Sequence, residues 1–181
     1  MSYLLDRLHN DHKNFAKLLA YIELQLDCIK KCDVVDFETI LIAMQYMRDY
    51  PDEIHHPLEN VIFSYFIQHY DFSHKAIKEL MHEHEGMPKL TEKIISMLEY
   101  VVSETPVNRD EFCEFLTEYL DVQKAHMNAE ESKVYPYIYE AMQEDDWKQL
   151  QNEIQESNDP LFEQPRDENY RLLLKKINAA V

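Results

Sequence analysis

The stretch Ile54-His55-His56-Pro57-Leu58-Glu59 and its later counterpart Ala125-His126-Met127-Asn128-Ala129-Glu130 each set a histidine four residues before a glutamate. On an α-helix, residues at i and i+4 share a face one turn apart, so each pair offers an imidazole and a carboxylate to one small volume. The two pairs lie 71 positions apart, and the chain around them repeats weakly. A shift of 72 places Leu5, Leu8, His12 and Leu18 on Ile77, Leu80, His84 and Leu90. Each half therefore carries a lone histidine followed by a His-x-x-x-Glu pair. That repeat predicts two helix pairs related by a pseudo-twofold axis.

Apolar residues on either side recur with helical spacing. Leu4, Leu5, Leu8, Phe15, Leu18, Leu19, Ile22 and Leu26 put a stripe on one face of a first helix, capped by Ser2 and ending near Lys30. A second helix runs from near Asp36 to about Tyr70, with a break or kink expected at Pro51. A third runs from a Ser73 cap to about Glu104 and is disturbed near Gly86 and Pro88. A fourth runs from near Asn108 to about Met142. Two shorter helices follow, Asp145 to Gln155 with Trp147 and Leu150 inward, and Glu168 to Asn178 with Leu172, Leu173, Leu174 and Ile177 inward. No segment alternates with period two. The expected fold is all-α: an up-down-up-down four-helix bundle over residues 1–142, with a short helical C-terminal extension, 143–181, packed on it. The extension covers one end of the bundle or docks a second copy to make a homodimer, with Trp147 and Phe162 as its expected anchors.

Composition narrows the function classes. The chain has 181 residues, a length suited to one domain, and a single glycine, Gly86. One glycine rules against glycine-rich phosphate loops and turn-rich barrels. The net charge of −17 repels phosphate backbones and anionic membranes, so no nucleic-acid or membrane partner is expected. The first residues lack a basic start before an apolar run, and no apolar run is long enough to span a bilayer. Three cysteines, Cys28, Cys32 and Cys113, make no disulfide framework, which points to the cytoplasm. Cys28 and Cys32 are spaced as neighbours on a helix and read as free thiols, with a redox pair as the alternative.

In such a bundle, the second half of one helix lies level with the first half of the next. His12, His55, Glu59, His84, His126 and Glu130 can then meet in one layer of the core. Carboxylates and imidazoles buried there are costly unless paired or bound to metal. Two divalent metals resolve the cost, each with two terminal histidines, both sharing the glutamates as bridges. Imidazole with carboxylate suits iron, and also zinc or manganese. His56 follows a ligand directly and is expected to point away from the site. His9 and His82 read as surface or supporting groups, and His69 and His74 as surface residues. Tyr50, Tyr119 and Tyr135 lie at positions that could reach the centre or serve as packing residues. A rival reading uses Glu53 with His56 and Glu79 with His82 as Glu-x-x-His motifs.

The order His, His-x-x-x-Glu, His, His-x-x-x-Glu on four helices resembles the hemerythrin-like, or HHE cation-binding, family in its bacterial single-domain form. The flanking residues match as well: Leu8-His9-Asn10-Asp11-His12, Asp49 through Glu59, Glu83-His84, and Ala125 through Glu131. The resemblance covers about Tyr3 to Met142. It implies a non-haem di-iron centre, oxo- or hydroxo-bridged, that meets dioxygen, peroxide or nitric oxide. Catalase- or peroxidase-like turnover is one activity it implies; a gas or redox sensor, or an iron storage or delivery module, are alternatives. One departure matters. Oxygen-carrying members have a fifth histidine in a His-x-x-x-His pair on the third helix, and an aspartate as the last ligand. Here Pro88 and Leu80 flank His84 at those spacings, and Glu130 replaces the aspartate one position early. This turns the expectation from reversible oxygen carriage toward sensing or processing oxidants.

Overall fold

The apolar stripes form helices close to where their spacing places them. The computed structural model describes residues 2–71, 74–154 and 157–180. Helix α1 spans Tyr3–Lys31, and Ser2 caps it by accepting from the Leu5 amide. The second rod is α2, Phe37–Met47, a π-helical segment Arg48–His55, and α3, His56–His69. The third is α4, Lys75–Val102, which runs through Pro88 unbroken; the Ser73 cap lies outside the described residues. The fourth is α5, Arg109–Ala129, a π-helical segment Glu130–Val134, and α6, Tyr135–Ala141. Two shorter helices follow, α7, Glu144–Glu153, and α8, Glu168–Ala180. Among the described residues there is no strand, and no helix is long and apolar enough to cross a membrane.

The expected kink at Pro51 is a whole π segment rather than a break. The amide of His56 donates to the carbonyl of Pro51, five residues back, and the amide of Tyr135 does the same to Glu130. Each π segment stops just short of a proline, Pro57 in one and Pro136 in the other. A proline ring clashes with the carbonyl four residues before it, so the turn widens by one residue instead.

The helical ends work with almost no glycine. Cys32 and Glu104 take left-handed conformations with φ of 61° and 59°. Each terminates its helix with a six-to-one bond, Asp33 N–H to Cys28 carbonyl at 2.9 Å and Thr105 N–H to Tyr100 carbonyl at 2.8 Å. Cys32 is thus the cap residue of α1, and its amide donates to the Cys28 carbonyl, in keeping with the reading of free thiols at a helix end. All three cysteines are free.

Two apolar clusters fill the interior. One gathers Phe15, Ile22, Met44, Tyr46, Ile94, Leu116 and Tyr119; the other gathers Leu5, Leu8, Ile62, Phe66, Leu80 and Ile138. Along every rod the switch from one cluster to the other falls at a candidate ligand: His12 between Leu8 and Phe15, His84 between Leu80 and Ile94. The C-terminal segments close both clusters. Trp147 and Leu150 of α7 join the second, while Leu161 and, from α8, Tyr170, Leu173 and Ile177 join the first. Buried Asp159 ties this segment down, accepting from Tyr46 Oη at 3.0 Å and from the Leu161 and Phe162 amides. Leu172, expected inward, is exposed, and Tyr170 takes the inward place.

Gly86 lies inside α4 with open space where a Cβ would stand. Gly86→Ala should therefore stabilise the fold by about 0.5–1 kcal/mol, read as a higher urea midpoint with unchanged slope.

Candidate metal centre

The six residues singled out from spacing meet in one layer between the two apolar clusters, each 0–6% exposed. His12 comes from α1, His55 from the end of the first π segment, Glu59 from α3, His84 from α4, His126 from α5 and Glu130 from the start of the second π segment. The histidines face each other in pairs. Nε2 of His55 lies 3.1 Å from Nε2 of His12, and Nε2 of His84 lies 2.9 Å from Nε2 of His126.

Both glutamates span the pairs. One oxygen of Glu59 lies 3.5 Å from His55 Nε2 and 3.9 Å from His12 Nε2, and its other oxygen lies 3.4 Å from His84 Nε2. Glu130 mirrors it, with Oε1 3.4 Å from His84 and 3.1 Å from His126 and Oε2 3.4 Å from His12. Each carboxylate thus turns one oxygen to each histidine pair. Glu59 Oε2 and both Glu130 oxygens are buried with no hydrogen-bond partner.

Every histidine of the layer has its outer nitrogen held. His55 Nδ1 donates to Asp11 at 3.0 Å, His12 Nδ1 to Glu131 at 2.8 Å, His126 Nδ1 to Glu83 at 2.7 Å, and His84 Nδ1 to the Asn60 side-chain oxygen at 2.8 Å. An Nδ1–H bonded outward leaves the Nε2 lone pair pointing inward, the form that ligates metal. Two lone pairs facing each other at about 3 Å repel unless a cation or a proton sits between them. The donor set fits cations at both pairs, with two carboxylates to balance them.

These outer partners were not singled out in the sequence, although a signal was there. Asp11 precedes His12, Glu83 precedes His84, Asn60 follows Glu59 and Glu131 follows Glu130. Each is adjacent to one member of the layer yet serves a histidine on another rod. The crossing follows the pseudo-twofold: Asp11 and Glu83 serve His55 and His126, and Glu131 and Asn60 serve His12 and His84. His9 joins Glu131 at 2.9 Å and so acts in support.

His56 contradicts the expectation that it points away. It is 4% exposed, stacks on the His84 ring with centroids 4.5 Å apart, and meets His126 edge-on at 5.5 Å. The expectation assumed α-helical register. The π turn ending at His55 widens the helix there, so His55 and His56 both face inward. Glu53, Glu79 and His82 are exposed, so the Glu-x-x-His motifs do not converge. His69 is exposed, while His74 is half-buried against Phe66. Of the three tyrosines, Tyr135 reaches the layer: its ring stacks on His12 at 5.4 Å and its hydroxyl donates to Glu59. Tyr50 Oη donates to Asp11 at 3.4 Å, one step out.

Without metal, the carboxylates favour a charged imidazole in each pair. Burial opposes charge on His55, but Glu59 and Asp11 outweigh it and push it up to about 10. His126 is likewise pushed up to about 9, with Glu130 overcoming burial. Burial wins at their facing partners, His12 and His84, and lowers both. Within each facing pair the charged form is thus favoured on one ring, His55 or His126, and disfavoured on the other. The raised values stabilise the metal-free fold fully below the unfolded value of about 6.5, and this contribution is lost as pH rises through about 9 to 10. The unfolding temperature of chelator-treated protein should fall over that alkaline range, and divalent metal should remove most of the fall.

The model of the hemerythrin HHE cation-binding domain matches residues 3–156, from the first turn of α1 to beyond α7, and takes in the whole six-residue layer. No curated protein and no solved structure gives a match. By that match, and with a buried histidine–glutamate layer built to receive cations, the chain belongs to the hemerythrin HHE cation-binding domain family.

Proposed function

We propose that the layer holds a pair of iron ions and that this pair binds or reacts with a small oxidant: dioxygen, peroxide or nitric oxide. The observation that carries the reading is the double reach of Glu59 and Glu130, each with one oxygen toward each histidine pair. In this reading His12 and His55 would hold one ion and His84 and His126 the other, and Glu59 and Glu130 would offer an oxygen to each. We also read the four rods as running up, down, up and down, which would bring all six residues level.

Iron in such a cage would supply one-electron chemistry and a Lewis-acid position for the small ligand. The chain's own residues supply the rest. Asp11, Glu131, Glu83 and Asn60 fix the four rings. Burial, and the nearby Glu59 carboxylate, hold the Tyr135 phenol well above its ordinary value, so it keeps its proton at the edge of the layer. From there it can hydrogen-bond a bound oxidant. Phe15, packed edge-on to His55 at 4.9 Å, and Phe63, stacked on His84 at 6.2 Å, keep water out. A storage or delivery role fits less well. Both bridging carboxylates are fully buried, so release of metal would require the rods to part.

Protein loaded anaerobically with ferrous iron should take up about two ions per chain, and its optical spectrum should change on adding oxygen, nitric oxide or peroxide in turn. Uptake near zero, or a spectrum indifferent to all three, would overturn the reading. Glu59→Ala and Glu130→Ala should each lose at least one ion and the spectral response.

A further inference from the structure

The pseudo-twofold that relates the two halves fails at His56, a position beside the layer. The shift of 71 that sets His55 on His126 and Glu59 on Glu130 sets His56 on Met127 and Asp52 on Gln123. Met127 is half-buried and packs against the apolar cluster. His56 thus stands where the other half has an apolar side chain, and Asp52 stands where it has the buried amide Gln123. The Asp52 side chain is 2% exposed, and neither of its oxygens has a hydrogen-bond partner. His56 Nδ1 is likewise buried and unpartnered, 3.4 Å from an Asp52 oxygen. Buried polar groups left in this state are costly, and a cation on the ring's other nitrogen would polarise Nδ1–H toward the Asp52 carboxylate.

The placement matches that of the other four rings. Each has Nδ1 hydrogen-bonded outward to an acceptor, and His56 turns Nδ1 toward Asp52 at 3.4 Å, a longer contact that is not a hydrogen bond. One nitrogen of His56 and ligand atoms of Glu59, His84 and His126 all lie within 4.8 Å of one another, while His12, His55 and Glu59 form the other such group. With Nδ1 facing Asp52, Nε2 is the nitrogen left for the layer.

We propose that His56 is a fifth histidine ligand, joining His84 and His126 on one ion and leaving His12 and His55 on the other, with Asp52 as the positioning residue that orients its ring. This rests on the metal-pair reading above. The two positions are then unequal: one carries three histidines and the other two, with room for an exogenous ligand concentrated at the latter. The asymmetry arises because the widened turn before His56 brings two consecutive histidines inward. The second half has only Met127 at the corresponding position.

Cobalt(II) serves as the probe. The cobalt-loaded wild-type protein should show five exchangeable, hyperfine-shifted imidazole N–H resonances, one for each ring bound through Nε2; four would overturn the proposal. Uptake of fewer than two cobalt ions by the wild type would overturn the metal-pair reading itself, and this proposal with it. His56→Gln should remove one resonance and weaken the second cobalt ion, and Asp52→Asn should weaken it by about 10–100-fold, as loss of an orienting partner does. Unchanged affinity for both ions in a folded His56→Gln, checked by circular dichroism, would overturn the proposal; if that variant does not fold, the wild-type resonance count decides.

Discussion

Two glutamates with no exposed surface stand at the middle of an apolar helical bundle, and the rest of the layer answers to them. A buried carboxylate without a counter-charge costs more than a small domain's whole stability can absorb. The protein meets this with four imidazoles whose inner nitrogens surround the carboxylates at 3.1 to 3.9 Å. The carboxylates in turn favour positive charge on His55 and His126, one ring of each facing pair. The order of the rods along the chain matters because each supplies something to this balance, and the two apolar clusters on either side keep it dry.

Orientation is handled by a second set of residues, and it knits the bundle together. Asp11 on α1 holds a ring from the second rod, Glu83 on α4 holds a ring from α5, and Glu131 and Asn60 complete the exchange. Because every ring is fixed from a different rod than its own, a shift of any rod disturbs at least one ring elsewhere. The geometry at the layer thus depends on the packing of the whole bundle rather than on one helix. The two π segments belong to the same arrangement. They lie where prolines Pro57 and Pro136 forbid a regular α turn, and each begins or ends on a residue of the layer.

Much of this was legible in the sequence. Apolar spacing located the helices to within a few residues, because burial of one face dominates helix placement. The internal repeat picked out His12 and His84 beside the two His-x-x-x-Glu pairs. What spacing missed was register where the helix is not α. An α-helical wheel turns His56 away. The π turn that ends at His55 undoes that reading. Leu172 went astray for a related reason: in a leucine run, periodicity alone does not say which leucine faces in.

By itself, then, the sequence determined an all-helical chain, the residues of its polar layer and its place among cation-binding bundles. These follow from composition, periodicity and a repeat, which are properties of the chain in order. Tertiary structure alone decided which carboxylate serves which imidazole, how each glutamate divides its oxygens between two pairs, and that His56 joins the layer. Those facts depend on contacts between rods and on one widened turn, where a change of a single residue per turn redirects a side chain into the core.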